Sequence, residues 1–140
     1  MIASEIMTTN PECCVPTDSV MAAAQLMKSE DVGPIPIVQD KEEKKLAGIV
    51  TDRDLAIKVV AEGRDPKTTP VEDVMSEGLV TCRDNDDVRS VLKLMEENQL
   101  RRIPVVDKND RLQGIIAQAD VATRLGNAQA AGEVVQHVSQ

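Results

Sequence analysis

Three sets of residues in this chain have the right chemistry to hold a ligand: carboxylates where apolar runs end, a pair of arginines, and three cysteines. In residues 48–54 (GIVTDRD) an apolar run ends in Thr51 and Asp52, and a helical pattern begins at once with Asp54 in its first turn. A strand that runs straight into a helix leaves free backbone N–H groups and the positive end of the helix dipole at the junction, which suits an anionic ligand. Residues 114–120 (GIIAQAD) repeat the device, with Ala117 where Thr51 stood and Asp120 where Asp54 stood. Arg101 and Arg102 stand just before an apolar Ile-Pro run, and paired guanidinium forks match phosphate oxygens. No histidine lies near a candidate nucleophile and no glycine-rich phosphate loop is present, so the chain reads as a non-enzyme.

The elements that must position these residues come from an internal repeat. At an offset of 68, Met7 matches Met75, Cys14 Cys82, Asp18 Asp86 and Val20 Val88; Leu26 and Met27 match Leu94 and Met95; Ile35 and Pro36 match Ile103 and Pro104; and Val38 matches Val106. At an offset of 66, Leu46 matches Leu112, Gly48 and Ile49 match Gly114 and Ile115, Asp54 matches Asp120 and Ala56 matches Ala122. The register breaks once, in the charged stretch QDKEEKK, which reads as a surface hairpin loop.

Each copy gives the same local pattern. A turn of helix (4–7 or 72–75) leads to a brief strand (13–15 or 79–82), and Asp18 or Asn85 is placed to cap a helix of apolar spacing. Two apolar runs then read as adjacent strands, 35–38 with 46–50 and 103–106 with 112–116. A closing helix follows at 53–61 or 118–125, with Gly63 and Gly126 as stops. The expected fold class is therefore α/β (α+β), two β-α-β-β-α repeats, each a three-stranded sheet with helices on one face, packed sheet to sheet because one copy is too small to bury its own core. The copies span 1–63 and 71–126, with 64–70 as linker and 127–140 as a tail carrying a weak helical pattern at Val134, Val135 and Val138.

Composition narrows the partners. The chain is 41% hydrophobic but lacks Phe, Tyr and Trp, so its core is aliphatic and no aromatic platform exists for stacking single-stranded nucleic acid. A net charge of −8 repels phosphate backbones and anionic lipid, so neither nucleic acid nor a membrane surface is an expected partner. There is no long apolar run and no cleavable leader, and the odd cysteine count fits a reducing, cytoplasmic setting.

The twin pattern of a capped helix, an Ile-Pro strand and a Gly-h-h-Thr-x-x-Asp junction (h for an apolar residue), with Ala117 in place of Thr in the second copy, resembles a tandem pair of CBS domains, the Bateman module. The resemblance covers residues 1 to about 126 and is strongest to small stand-alone bacterial CBS-pair proteins of the hypoxic-response type. It implies a pseudo-two-fold regulatory module that binds an adenine nucleotide in the clefts between the repeats, works as a homodimer and acts on a protein partner. It requires no cofactor, and the candidate ligands are AMP, ADP, ATP, NAD and S-adenosylmethionine. Carried over residue by residue, the resemblance gives Asp54 and Asp120 to ribose, Thr51 to the ligand's side, Arg101 and Arg102 to phosphate from the opposite repeat, and Ile49, Leu79 and Val80 to the base. The cleft of Asp120 would offer Ala117, Gly33, Pro34 and Glu12 instead, which makes it a second, degraded site.

Plainer roles stand beside these. Asp52, Asp54 and Asp120 also serve as helix caps, Thr51 as a good strand residue, and Arg101 and Arg102 as solvated charges. Cys13 and Cys14 are adjacent and point to opposite faces of a strand, while Cys14 and Cys82 are repeat mates, as core residues would be. With His137 as the one histidine, a zinc site would need ligands from a second chain. A thiol- or metal-dependent stress sensor using Cys13, Cys14 and Cys82, and a ligand-free dimerisation scaffold, are the alternative functions.

Overall fold

Most repeat-equivalent residues take up equivalent places in the backbone of the described residues. The computed structural model describes residues 1–130, with side chains to residue 126, so Val134, Val135, Val138 and His137 lie outside the described residues. Its elements are α1 (Ala3–Ile6), β1 (Thr8–Thr9), α2 (Val20–Glu30), β2 (Pro34–Val38), β3 (Leu46–Thr51) and α3 (Asp52–Leu55), which widens into a π turn at Ala56–Val60. A 3₁₀ turn at Val71–Asp73 precedes β4 (Cys82–Arg83), α4 (Val88–Glu97), β5 (Arg102–Val106), β6 (Leu112–Ala117) and α5 (Gln118–Ala130). No helix among the described residues is long and apolar enough to cross a membrane.

The chain divides into two compact units. The first holds Pro11–Leu79 and Asn109–Leu112; the second holds Met1–Asn10, Val80–Lys108 and the chain from Gln113. In the second unit the sheet order is β1-β6-β5-β4, with β1 antiparallel to β6 and β4 parallel to β5. The first unit has the same order with its edges reduced to single bridges. Ser76 pairs antiparallel with Ile49, β3 pairs with β2, and Cys14 pairs in parallel with Ile37. The residues that start one repeat therefore complete the sheet of the other.

The cores repeat the exchange. Val71 and Val74 join Cys14, Val20, Ala23, Ile35, Ile37, Val50 and Val59 in the first unit. Their repeat mates Ala3 and Ile6 join Cys82, Val88, Val91, Ile103, Val105, Ile116 and Leu125 in the second. Each unit thus closes its apolar interior with a helical turn lent by the other repeat, so neither copy buries its core from its own residues alone.

Four local expectations are corrected. The sheets carry a fourth, antiparallel edge beyond the three strands read from apolar runs, because Thr8–Thr9 and Ser76 are too short and polar to show periodicity. The helix caps are Ser19 and Asp87, which accept from Ala22 N–H and Arg89 N–H. Asp18 and Asp86 instead turn back to accept from Val15 N–H and Arg83 N–H, at 2.9 and 2.8 Å, and close the preceding turn. Gly63 does stop its helix at φ +70°, with Arg64 N–H reaching the Val59 carbonyl, whereas α5 runs on through Gly126 to Ala130.

Candidate functional site

The junction of β3 and α3 is built by Thr51 acting as helix cap. Thr51 Oγ1 accepts from Asp54 N–H at 3.2 Å, while Asp54 Oδ2 accepts from Thr51 N–H at 2.9 Å and from the Thr51 hydroxyl at 3.1 Å. This reciprocal box satisfies backbone donors at the helix start and fixes the carboxylate's orientation. Asp54 Oδ1 faces Lys58 Nζ at 3.1 Å, one helical turn on, and the same ammonium donates to the Val74 carbonyl at 3.0 Å. The Asp54 side chain is only 15% exposed, against 44% for Lys58. Opposite the junction, the Gly33 carbonyl accepts from Asp52 N–H at 3.0 Å, and a Cβ on Gly33 would lie 3.3 Å from Asp52 Oδ1.

The second unit keeps this backbone and changes the chemistry. The Arg101 carbonyl accepts from Gln118 N–H at 2.7 Å, the repeat mate of the Gly33–Asp52 bond. Arg101 and Arg102 line a hollow of about 230 Å³ together with Ala117, Gln118 and Ala119, at the start of α5. Among the described residues neither arginine has a carboxylate partner, and both are exposed beside the start of α5. Asp120 is exposed and makes no ion pair among the described residues. Arg124, in the place of Lys58, donates to the Glu5 carbonyl at 3.4 Å.

The expected site residues fall in both units. Ile49, Thr51, Asp54 and Leu79 belong to the first unit with Glu12, Gly33 and Pro34; Val80, Arg101, Arg102, Ala117 and Asp120 belong to the second. Thr51 and Asp54 are brought into direct contact, and Arg101, Arg102 and Ala117 line one hollow. Ile49 is half-buried and tied to Ser76 by a pair of backbone bonds, and Val80 packs on the second core. Lys58 was absent from that expectation, although its spacing of four from Asp54 was a readable signal. A larger open groove of about 580 Å³ in the first unit is rimmed by Glu72, Asp73 and Glu77, which disfavours an anion there.

The cysteines are buried free thiols. Burial, reinforced by the charge of Asp18, pushes the Cys14 thiol up to about 11. Burial, reinforced by Asp86, pushes Cys82 to about 12. Among the described residues no group of three or more His, Cys, Asp or Glu side chains is gathered to hold a metal ion.

Comparison with known proteins agrees with this architecture. The family model described as the CBS domain matches residues 3–61 and again 71–127. The CBS domain-containing protein YhcV of Bacillus subtilis is 39% identical over 135 residues, 96% of this chain and 93% of that one. Among solved structures, Hypoxic Response Protein I with two coordinated zinc ions superposes with a TM-score of 0.80 at 36% identity, covering 89% of this chain and 99% of that one. CBSX2 in complex with AMP superposes with a TM-score of 0.78 at 26% identity, covering 91% and 98%.

Proposed function

This chain belongs to the CBS-domain family as a tandem pair, and on that premise we propose that it is a non-catalytic sensor that binds an adenosine-containing ligand, with Asp54 as the ribose acceptor at the first unit's junction and Arg101 and Arg102 as anion donors at the second unit's hollow. The observation that carries this reading is the Thr51–Asp54 box, which holds a largely buried carboxylate in one orientation at the head of a helix. An oriented carboxylate is what a vicinal diol requires, as in nucleotide folds generally. Arg101 and Arg102, unpaired beside a hollow in a protein of net charge −8, supply local cations where the surface as a whole repels anions. That CBSX2, a structural relative, was solved with AMP supports the ligand class. Asp120 lacks a hydroxyl neighbour because Ala117 replaces Thr51, so its junction is the weaker of the two.

As a sensor the chain works as a homodimer that signals to a protein partner in the cytoplasm, and the ligand must prefer one arrangement of the protein over another for any signal to pass. The test is thermal melting with AMP, ADP, ATP, NAD and S-adenosylmethionine, repeated on Asp54→Ala, Asp120→Ala and Arg101→Ala/Arg102→Ala. A ligand at a hundredfold excess over its Kd stabilises by about 2.7 kcal/mol, a visible shift. The expected result is a shift with at least one nucleotide, lost in Asp54→Ala, reduced in the double arginine variant and kept in Asp120→Ala. No shift with any nucleotide sinks the reading. Zinc belongs in the same panel because Hypoxic Response Protein I was solved with two zinc ions. A shift with zinc alone favours the metal-sensor alternative.

A further inference from the structure

Resting on the assignment of ribose to Asp54, we infer that Lys58 is an internal competitor for the ligand, which a ribose diol must displace from Asp54 in order to bind. A carboxylate offers about four lone-pair sites, two on each oxygen. Thr51 occupies two of them at Oδ2, one through its N–H and one through its hydroxyl. Lys58 Nζ occupies one at Oδ1, at 3.1 Å. One site is left, and a vicinal diol donating both hydroxyls needs two. The Thr51 bonds are the cap of α3 and are costly to lose, whereas the Lys58 side chain is the more exposed partner and sits on a flexible stem. Lys58 is therefore the group that moves.

The second unit provides an internal comparison. There the equivalent cation, Arg124, bonds the leading turn at the Glu5 carbonyl but makes no ion pair with Asp120. The ammonium on the carboxylate is thus particular to the Asp54 junction. Because Lys58 Nζ also holds the Val74 carbonyl, its release from Asp54 alters a side-chain tether between the helix that carries the site and the residue that follows the turn at 71–73. Val71 on that turn and Val74 just after it are core residues of the first unit, so the movement is felt in its packing. Lys58 acts here as a positioning residue that sets affinity and selects for the diol.

The experiment measures binding of adenosine, 2′-deoxyadenosine and AMP by calorimetry to the wild-type protein, Lys58→Met and Lys58→Arg. Adenosine has no phosphate, so any effect of Lys58 on it comes through the sugar or base. Removing a partly exposed ion pair frees a modest interaction, so Lys58→Met should bind adenosine about threefold to fivefold more tightly. Its affinity for 2′-deoxyadenosine, which has a single sugar hydroxyl there, should be unchanged. Lys58→Arg, which keeps the cation, should resemble the wild type and shows that a change in Lys58→Met is not general loosening. Equal affinity of wild type and Lys58→Met for adenosine overturns the inference and leaves the ribose assignment standing. So does weaker AMP binding by Lys58→Met with adenosine unchanged, which would make Lys58 a phosphate partner. If neither protein binds any of the three, the ribose assignment and the inference fall together.

Discussion

Cys14 is pinned in the first sheet by two backbone bonds, its N–H to the Pro36 carbonyl and its carbonyl to the Val38 N–H, and Cys82 sits at the equivalent place against Val105. A thiolate at either position would be charged and unsolvated, which is why burial raises the two thiols from an ordinary 9.0 to about 11 and about 12. Two consequences follow in opposite pH ranges. At pH 8 a thiol titrating near 11 is ionised in about one molecule per thousand, so iodoacetamide should modify native Cys14 and Cys82 only at the rate at which the fold opens. A labelling rate that matches a free thiol would reopen the thiol-sensor alternative. Above pH 9 the unfolded chain loses these protons before the folded one does. Stability from the protonated thiols is therefore complete below pH 9 and falls as pH rises toward 11 and 12. Urea midpoints of wild type and Cys82→Ala, measured from pH 8 to pH 10.5, should converge as pH rises, because the variant has no such proton to lose.

Among the strand and helix elements, the junction glycines owe their identity to the edge strand. A Cβ on Gly114 would lie 2.6 Å from the Thr8 carbonyl oxygen, and one on Gly48 would lie 2.8 Å from the Ser76 carbonyl oxygen. Both obstacles are backbone and cannot swing aside. Gly114→Ala should cost about 1–3 kcal/mol by overpacking and weaken the β1–β6 pairing. Gly126 lies inside α5 with nothing within 4 Å of a new Cβ, so Gly126→Ala should instead stabilise by roughly 0.5–1 kcal/mol. Melting curves of the two variants should move in opposite directions. The same pair of residues marks what could be read from the chain. Repetition revealed Gly48 and Gly114, Asp54 and Asp120, and the helix–strand order, because local periodicity and identity in register report local structure. Gly126 looked like a stop because composition alone does not reveal whether a glycine adopts positive φ, as Gly63 does. Ser19 and Asp87 took the capping roles from Asp18 and Asn85 since several short polar residues in a row compete for the same N–H groups. Lys58 at four residues from Asp54 was visible in principle, but its second bond, to Val74, depends on tertiary structure that no local pattern encodes.

On the scale of the whole chain, the exchange of leading segments separates sequence repeat from folding unit. Residues 1–10 belong with β4 to β6 and α5, while the turn at 71–73 belongs with β2, β3 and α3. Each exchange brings two apolar residues to a core and one partner to a sheet edge: Ala3 and Ile6 with Thr8–Thr9 on β6, and Val71 and Val74 with Ser76 on β3. Removing residues 1–9 should therefore damage the part of the chain most distant from them in sequence. Thr8 and Thr9 face Ile115 and Gly114, so their loss strips β6 of its antiparallel neighbour and opens the cavity filled by Ile6. Amide exchange in the truncated protein should quicken across 113–116 and along α5, while 47–51 keep their protection because Ser76 still pairs with Ile49. Ile6→Ala is the gentler form of the same test, with an expected loss of about 2–5 kcal/mol for a buried isoleucine and the same bias toward 113–116. Faster exchange at 47–51 with 113–116 unchanged would mean that each leading segment serves its own repeat, and the exchange would be refuted.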